Sequence, residues 1–243
     1  MPTRVTIIVL SALVILAVVL VGVLAPRPAA VEETPEAAPR WAGTSSAPTA
    51  AAIATGPGIA GLVDAEWLAA TSARTDIPER ALAAYAGAAL AKAAQMPSCA
   101  LGWHTIAAVG FVESRHGTHG GSAVGPDGTV SPPIIGVALD GGSTEVITDT
   151  DGGAIDGDTE HDRAVGPMQL IPQTWRNWHV DASGDGVEDP QNIDDAALAT
   201  ANYLCRSSGD MDSEDGWRLG ISAYNGATTY IDKVALAGAR YAA

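Results

Sequence analysis

Cationic side chains are scarce in this chain. Thirteen Lys and Arg face twenty-eight Asp and Glu over 243 residues, a formal net charge of −15. Lysine occurs only at Lys92 and Lys233. With no basic patch to neutralise phosphates, nucleic acid is excluded as a partner. The acidic balance suits a calcium-rich exterior instead. Cysteine is almost as rare: Cys99 and Cys205 are the two present. No cysteine directly follows the N-terminal apolar segment, which excludes a lipoprotein anchor. There is no internal repeat.

The apolar segment itself, residues 5–25, is uncharged and about long enough to cross a bilayer as a helix. A cleavable signal has a shorter apolar stretch, of roughly 7–15 residues. Residues 1–25 are therefore read as a transmembrane anchor, with a removed signal segment as the alternative. Either way the rest of the chain is expected outside the cytoplasm, held at the membrane or secreted. In an exported protein the even pair Cys99 and Cys205 invites a disulfide. Closing so long a loop stabilises by about 4–5 kcal/mol in the chain-entropy picture.

Residues 26–60 are rich in Pro, Ala and Thr, carry scattered acids and show no apolar period. They read as a disordered tether. Residues 61–243 then form one domain of ordinary size. Its signals are mostly helical. Asp76, Pro78 and Glu79 look like an N-cap, an early proline and a capping-box acid for a helix reaching residue 94. Further helices are predicted over 103–114, 172–178, 193–206, 214–224 and 228–239. Between residues 117 and 164 Gly, Pro, Asp and Thr dominate, with short β-like pieces at 134–139 and 145–148. An irregular stretch of that length inside a domain points to function rather than simple connection.

Glu113 ends the apolar run Ile106-Ala-Ala-Val-Gly-Phe-Val112. On a helix, Ile106, Val109, Gly110 and Glu113 share one face. A carboxyl on a buried stripe resists ionisation and keeps its proton nearer to neutral pH. Such a group can protonate a leaving group.

Two further blocks carry polar groups at helix ends. Gly166-Pro-Met-Gln169 presents Met168 and Gln169 just before a helix, an apolar floor beside an amide able to bond a sugar. Tyr224-Asn225-Gly226 ends another helix and can aim a phenol and an amide into a cleft, or form a simple C-cap. Taken together and in this order, Glu113, the Gly-Pro-Met-Gln block and the Tyr-Asn block resemble the lytic murein transglycosylases, most closely the membrane-bound lytic transglycosylase B type. The resemblance spans roughly residues 78–239. It implies a mainly α, lysozyme-like domain with an EF-hand-like loop and a long irregular insertion.

The same resemblance implies Glu113 as the catalytic acid, with Ser114, Met168, Gln169, Tyr224 and Asn225 binding a peptidoglycan strand. The implied reaction cuts the bond between N-acetylmuramic acid and N-acetylglucosamine without water, leaving a 1,6-anhydro ring. A lysozyme-like hydrolase is the alternative and requires a second acid, for which Asp149, Asp151, Asp156 and Asp158 are candidates. A non-catalytic wall-binding protein is the rival from another class.

Asp181-Ala-Ser-Gly-Asp-Gly186 places oxygen side chains at alternate positions before a glycine, like the start of an EF-hand loop. Asn192 stands where an ordinary EF-hand has its bidentate Glu. The resemblance implies a stretched loop with Asp181, Ser183, Asp185, the Val187 carbonyl and Asp195 as calcium ligands. The acidic string at 149–158 lacks the matching glycine and reads as a polar loop, with cation binding as the alternative. His116 and His119 have no third ligand in register, which argues against zinc.

Overall fold

Alanine dictates the centre of this domain. The computed structural model describes residues 38–142 and 144–243. Helices α1 (Ala65–Thr75), α2 (Glu79–Gln95) and α3 (Trp103–Ser114) come first. Strands β1 (Ala123–Val124), β2 (Val130–Ser131), β3 (Ile135–Ala138) and β4 (Arg163–Val165) follow. Helices α4 (Pro172–Trp178), α5 (Ile193–Ser208), α6 (Glu214–Tyr224) and α7 (Thr228–Ala242) complete the order. The fold is mainly α, as the periodicity indicates.

Helix α2 is alanine-rich, and alanine both favours the helix and lets neighbours approach closely. Residues 81–89 are buried around its whole circumference. Its main partner is α5, while α3 packs chiefly on α7. Helix α3 is apolar on every side and buried from Trp103 to Gly110, the signature of a core helix. Where α2 and α3 approach, a Cβ on Gly110 would stand 2.3 Å from the Tyr85 hydroxyl, so only glycine fits.

Three sequence expectations change here. Asp76 is not the N-cap of α2. It sits in the left-handed region (φ 58°) and closes α1, a helix the periodicity did not reveal. Pro78 precedes the first residue of α2 without a side-chain cap. The second β-like piece, 145–148, forms only isolated bridges, Asp140 with Val146 and Thr148 with His161. Finally, residues 38–60 are not a free tether. Ala42 is buried in the core, Ser45 meets His104 Nδ1 at 2.6 Å, and Trp103 Nε1 donates to the Ser46 carbonyl at 3.2 Å. Contacts of this kind use backbone groups and small side chains, so they leave no apolar period to read.

The expected anchor at 5–25 lies outside the described residues. Among those described, no helix is long and apolar enough to cross a membrane.

The insertion is built from two small antiparallel sheets, β1 with β2 and β3 with β4. Side chains fasten it to the helical body. Gln191 imitates a strand by accepting from Ile134 N and donating to Ile134 O, both at 3.0 Å. Within it, buried Asp162 accepts from the Thr150 amide and hydroxyl, each at 2.8 Å. Arg80 adds to this fastening: it donates to the Pro126 carbonyl at 3.1 Å and grips the buried Asp194 at the start of α5 through two hydrogen bonds of 2.8 and 2.5 Å, a bidentate charge-assisted pair. Cys99 and Cys205 form a disulfide with Cα atoms 5.5 Å apart, closing a sequence separation of 106 residues.

Candidate active site

Glu113 lies in the last turn of α3, half-buried on its exposed end. Tyr230, from the first turn of α7, donates a hydrogen bond of 2.5 Å to Glu113 Oε1. Burial pushes the Glu113 carboxyl up to about 7, and the Tyr230 hydrogen bond opposes that rise. The C-terminal end of a helix dipole is negative and also disfavours the ionised form. A carboxyl in this setting holds its proton near neutral pH and can release or recover it.

Tyr230 is one of a stack. Tyr224 lies over it with ring centroids 6.5 Å apart and planes inclined by 11°. The Tyr224 hydroxyl donates to the Met168 carbonyl at 2.5 Å. The 164–170 turn is thereby tied to the α6–α7 junction, next to the acid. Ser114 ties it from the other side: its hydroxyl donates to the Pro167 carbonyl at 2.6 Å and accepts from Gly117 N at 2.7 Å. The turn itself needs Gly166. Its φ is 75°, and a Cβ there would fall 1.8 Å from the Pro190 carbonyl oxygen.

The site residues expected from the sequence therefore divide. Glu113, Ser114, Met168 and Tyr224 are brought together. Ser114 and Met168 are buried, at 1% and 0% exposure, so they hold the turn and are not open to a sugar. Gln169 is partly exposed, in a left-handed conformation (φ 48°), and donates to the Gly166 carbonyl at 3.1 Å. Asn225 is exposed, and its Oδ1 accepts from Ala227 N at 3.0 Å, linking α6 to α7. Tyr230 was not anticipated. Its only sequence signal is an aromatic in the first turns of the final helix, and nothing local says what that aromatic meets.

A cavity of about 450 Å³ opens beside Glu113, between the end of α3 and the face of α7 that carries Lys233, Leu236 and Arg240. Arg115 and His119 border it. Met168, Gln169, Tyr224 and Asn225 do not line it. His116 is not at the cleft edge. It is buried between Tyr85 and Tyr241, 3.3 and 3.1 Å from their hydroxyls, and burial lowers its pKa to about 4.

The acids proposed as partners for a hydrolase are occupied within the insertion. Asp149 accepts from the amides of Asp151, Gly152 and Gly153, and Asp158 pairs with Arg163 at 2.9 Å. Asp149, Asp151 and Asp162 have ligand atoms within 4.8 Å of one another, the single such group among the described residues.

The Asp181 loop takes the turn expected of it. Asp181 accepts from Gly184 N at 2.7 Å and Gly186 N at 2.9 Å. Asp195, fully buried, accepts from the amides of Ala182 and Ser183 at 2.7 and 2.8 Å and from Asp189 N at 3.0 Å. Burial raises the Asp195 carboxyl to about 6, against those hydrogen bonds. Asp181, Asp185 and Asp195 are not among the described acidic groups whose ligand atoms lie within 4.8 Å of one another. Glu188, unusual for such a loop, pairs with His179 at 2.5 Å.

The domain is mainly helical, consistent with a lysozyme-like fold, and sets one acid, Glu113, beside a groove. Residues 161–236 match the family model of the transglycosylase SLT domain. That match takes in the Met168–Gln169 turn, the Asp181 loop and the Tyr224–Tyr230 stack, and stops short of Glu113. It supports a lytic transglycosylase family and peptidoglycan as the substrate. No curated protein and no solved structure matches the chain significantly.

Proposed function

We propose that this chain is a peptidoglycan lytic transglycosylase of the membrane-bound lytic transglycosylase B type. The observation that carries the reading is the Glu113–Tyr230 pair: a carboxyl lifted to about 7 and aimed by a phenol at one edge of a groove. Among the described residues no second carboxylate lines the groove, as a one-acid reaction requires.

Protonated Glu113 gives its proton to the oxygen linking muramoyl C1 to the next N-acetylglucosamine. The C1–O bond breaks, and the N-acetyl carbonyl of the muramoyl sugar supports the oxocarbenium-like carbon. Ionised Glu113 then accepts the proton of the muramoyl 6-hydroxyl as that oxygen closes onto C1. Glu113 is reprotonated by the 6-hydroxyl, its first proton stays on the departing N-acetylglucosamine hydroxyl, and no water is used. Tyr230 orients Glu113 in both half-steps and offers its hydrogen bond to the carboxylate while it is charged. Gln169, Tyr224 and Asn225 do not line the basic groove, and we assign them to the sugar outside it.

The disulfide supports an extracytoplasmic site of action, since such bonds persist in oxidising compartments. We further infer that the Asp181 loop binds calcium, with Asp181, Ser183, Asp185, the Val187 carbonyl and Asp195 as its donors.

Digestion of purified peptidoglycan by the wild-type chain and by Glu113→Gln, with released fragments identified by mass, tests the reaction. Fragments lighter than hydrolysis products by one water, absent with the variant, are expected. Reducing ends would identify a hydrolase, and equal release by the variant would remove Glu113 from the mechanism.

A further inference from the structure

We propose that Arg115, Lys233 and Arg240 form a subsite beside Glu113 for a carboxylate-bearing arm of the glycan substrate. The inference rests on the reading of the chain as a peptidoglycan-cleaving enzyme and adds which part of the strand this groove takes.

In a chain of net charge −15, cations left without a partner are unusual. Among the described residues Arg40, Arg80 and Arg163 are ion-paired. Arg74, Lys92, Arg176 and Arg218 donate hydrogen bonds to carbonyl or amide oxygens. Arg115, Arg206, Lys233 and Arg240 are the described Lys and Arg residues with neither, and all but Arg206 line the cavity at Glu113. That convergence is not explained by solvation, because seven of the other eight described cations are paired or hydrogen-bonded.

The geometry suits an anion on a short aliphatic arm. Lys233, Leu236 and Arg240 recur at helical spacing and share one face of α7. Leu236, half-exposed between the two cations, supplies an apolar floor. Arg115 rests over the Phe111 ring at 5.8 Å, a contact that uses the face of the guanidinium and leaves its in-plane donors free. A position near a helix end accounts for Arg240, but Lys233 is in the middle of α7.

These cations do not serve the acid. A positive charge paired with Glu113 would hold its carboxyl down, whereas Glu113 is raised, and the one group that opposes the rise is Tyr230. Their charge is available to a ligand. Muramoyl residues bring such a ligand: the free carboxylates of the peptide, which is itself joined through the lactyl carboxyl as an amide.

The test is binding to the full chain in detergent carrying Glu113→Gln, so that no turnover occurs. Three probes are titrated by calorimetry: a muramoyl oligosaccharide with its peptides, the same with its peptide carboxylates amidated, and an N-acetylglucosamine oligomer of equal length. Adding Lys233→Gln and Arg240→Gln is expected to weaken the peptide-bearing probe about tenfold and leave the neutral oligomer unchanged. An Arg240→Glu version weakens it further. If amidation alone reproduces the loss, the peptide carboxylates are the ligand; if the amidated probe keeps its sensitivity to the two substitutions, the cations do not read a carboxylate and the subsite is overturned. Equal affinities with and without the cations, or equal weakening of the neutral oligomer, overturn the subsite. Wild-type chain that leaves peptidoglycan uncut while charge-dependent binding persists removes the catalytic reading and keeps this one.

Discussion

The Tyr230 hydroxyl reaches Glu113 Oε1 at 2.5 Å across the packed helices α3 and α7. This hydrogen bond favours the ionised carboxylate, while burial favours the protonated acid, and burial wins.

Removing that hydrogen bond therefore moves the acid in a known direction. Cleavage needs protonated Glu113, so wild-type rate is expected to fall as pH rises through about 7. In Tyr230→Phe the falling limb shifts to higher pH, since the group that held the carboxyl down is gone. Below the limb kcat drops about tenfold through lost orientation. A pH–rate profile checks both; a limb that stays in place sinks the assignment.

The raised carboxyl also opposes folding once it ionises. A carboxyl whose folded value lies above its unfolded one contributes stability below the unfolded value and loses it as pH rises through the folded one. Here that window runs from the ordinary 4.5 to about 7. Glu113→Gln should melt about 2–4 °C above wild type at pH 8, with the difference gone by pH 4. Thermal denaturation at the two pH values decides; a variant less stable than wild type at pH 8 contradicts the burial argument.

The Cys99–Cys205 bond closes a separation of 106 residues. Replacing both cysteines with serine should lower unfolding free energy by about 4–5 kcal/mol in the chain-entropy model. Denaturant midpoints of variant and oxidised wild type measure it. An unchanged midpoint would mean that the unfolded chain is already restrained there.

For the Asp181 loop, millimolar calcium should raise the melting temperature of wild type, and chelator should reverse it, because a ligand held only by the folded state stabilises it by mass action. Asp185→Ala should abolish the shift. A shift that survives in Asp185→Ala would place the ion elsewhere, the Asp149, Asp151 and Asp162 group being the first alternative.

Helices at 103–114, 172–178 and 214–224 were legible to the residue, because apolar period, proline and caps act within a few residues of chain. The acid at Glu113 was legible for the same reason: its helix face follows from spacing alone. Helix α1 was not, since its one fully buried residue is Thr71 and it has no strong apolar stripe. Nor was the docking of residues 38–60, which depends on small residues and backbone oxygens.

By itself the sequence determined where the acid sits on its helix, which cysteines were available to pair and how sparse the positive charge is. Tertiary structure decided which phenol meets Glu113, that Ser114 and Met168 face inward, and that three unpaired cations share its groove. Local signals extend over a turn or two of chain. The partner of a side chain is set by where helices cross, and α3 meets α7 more than a hundred residues later.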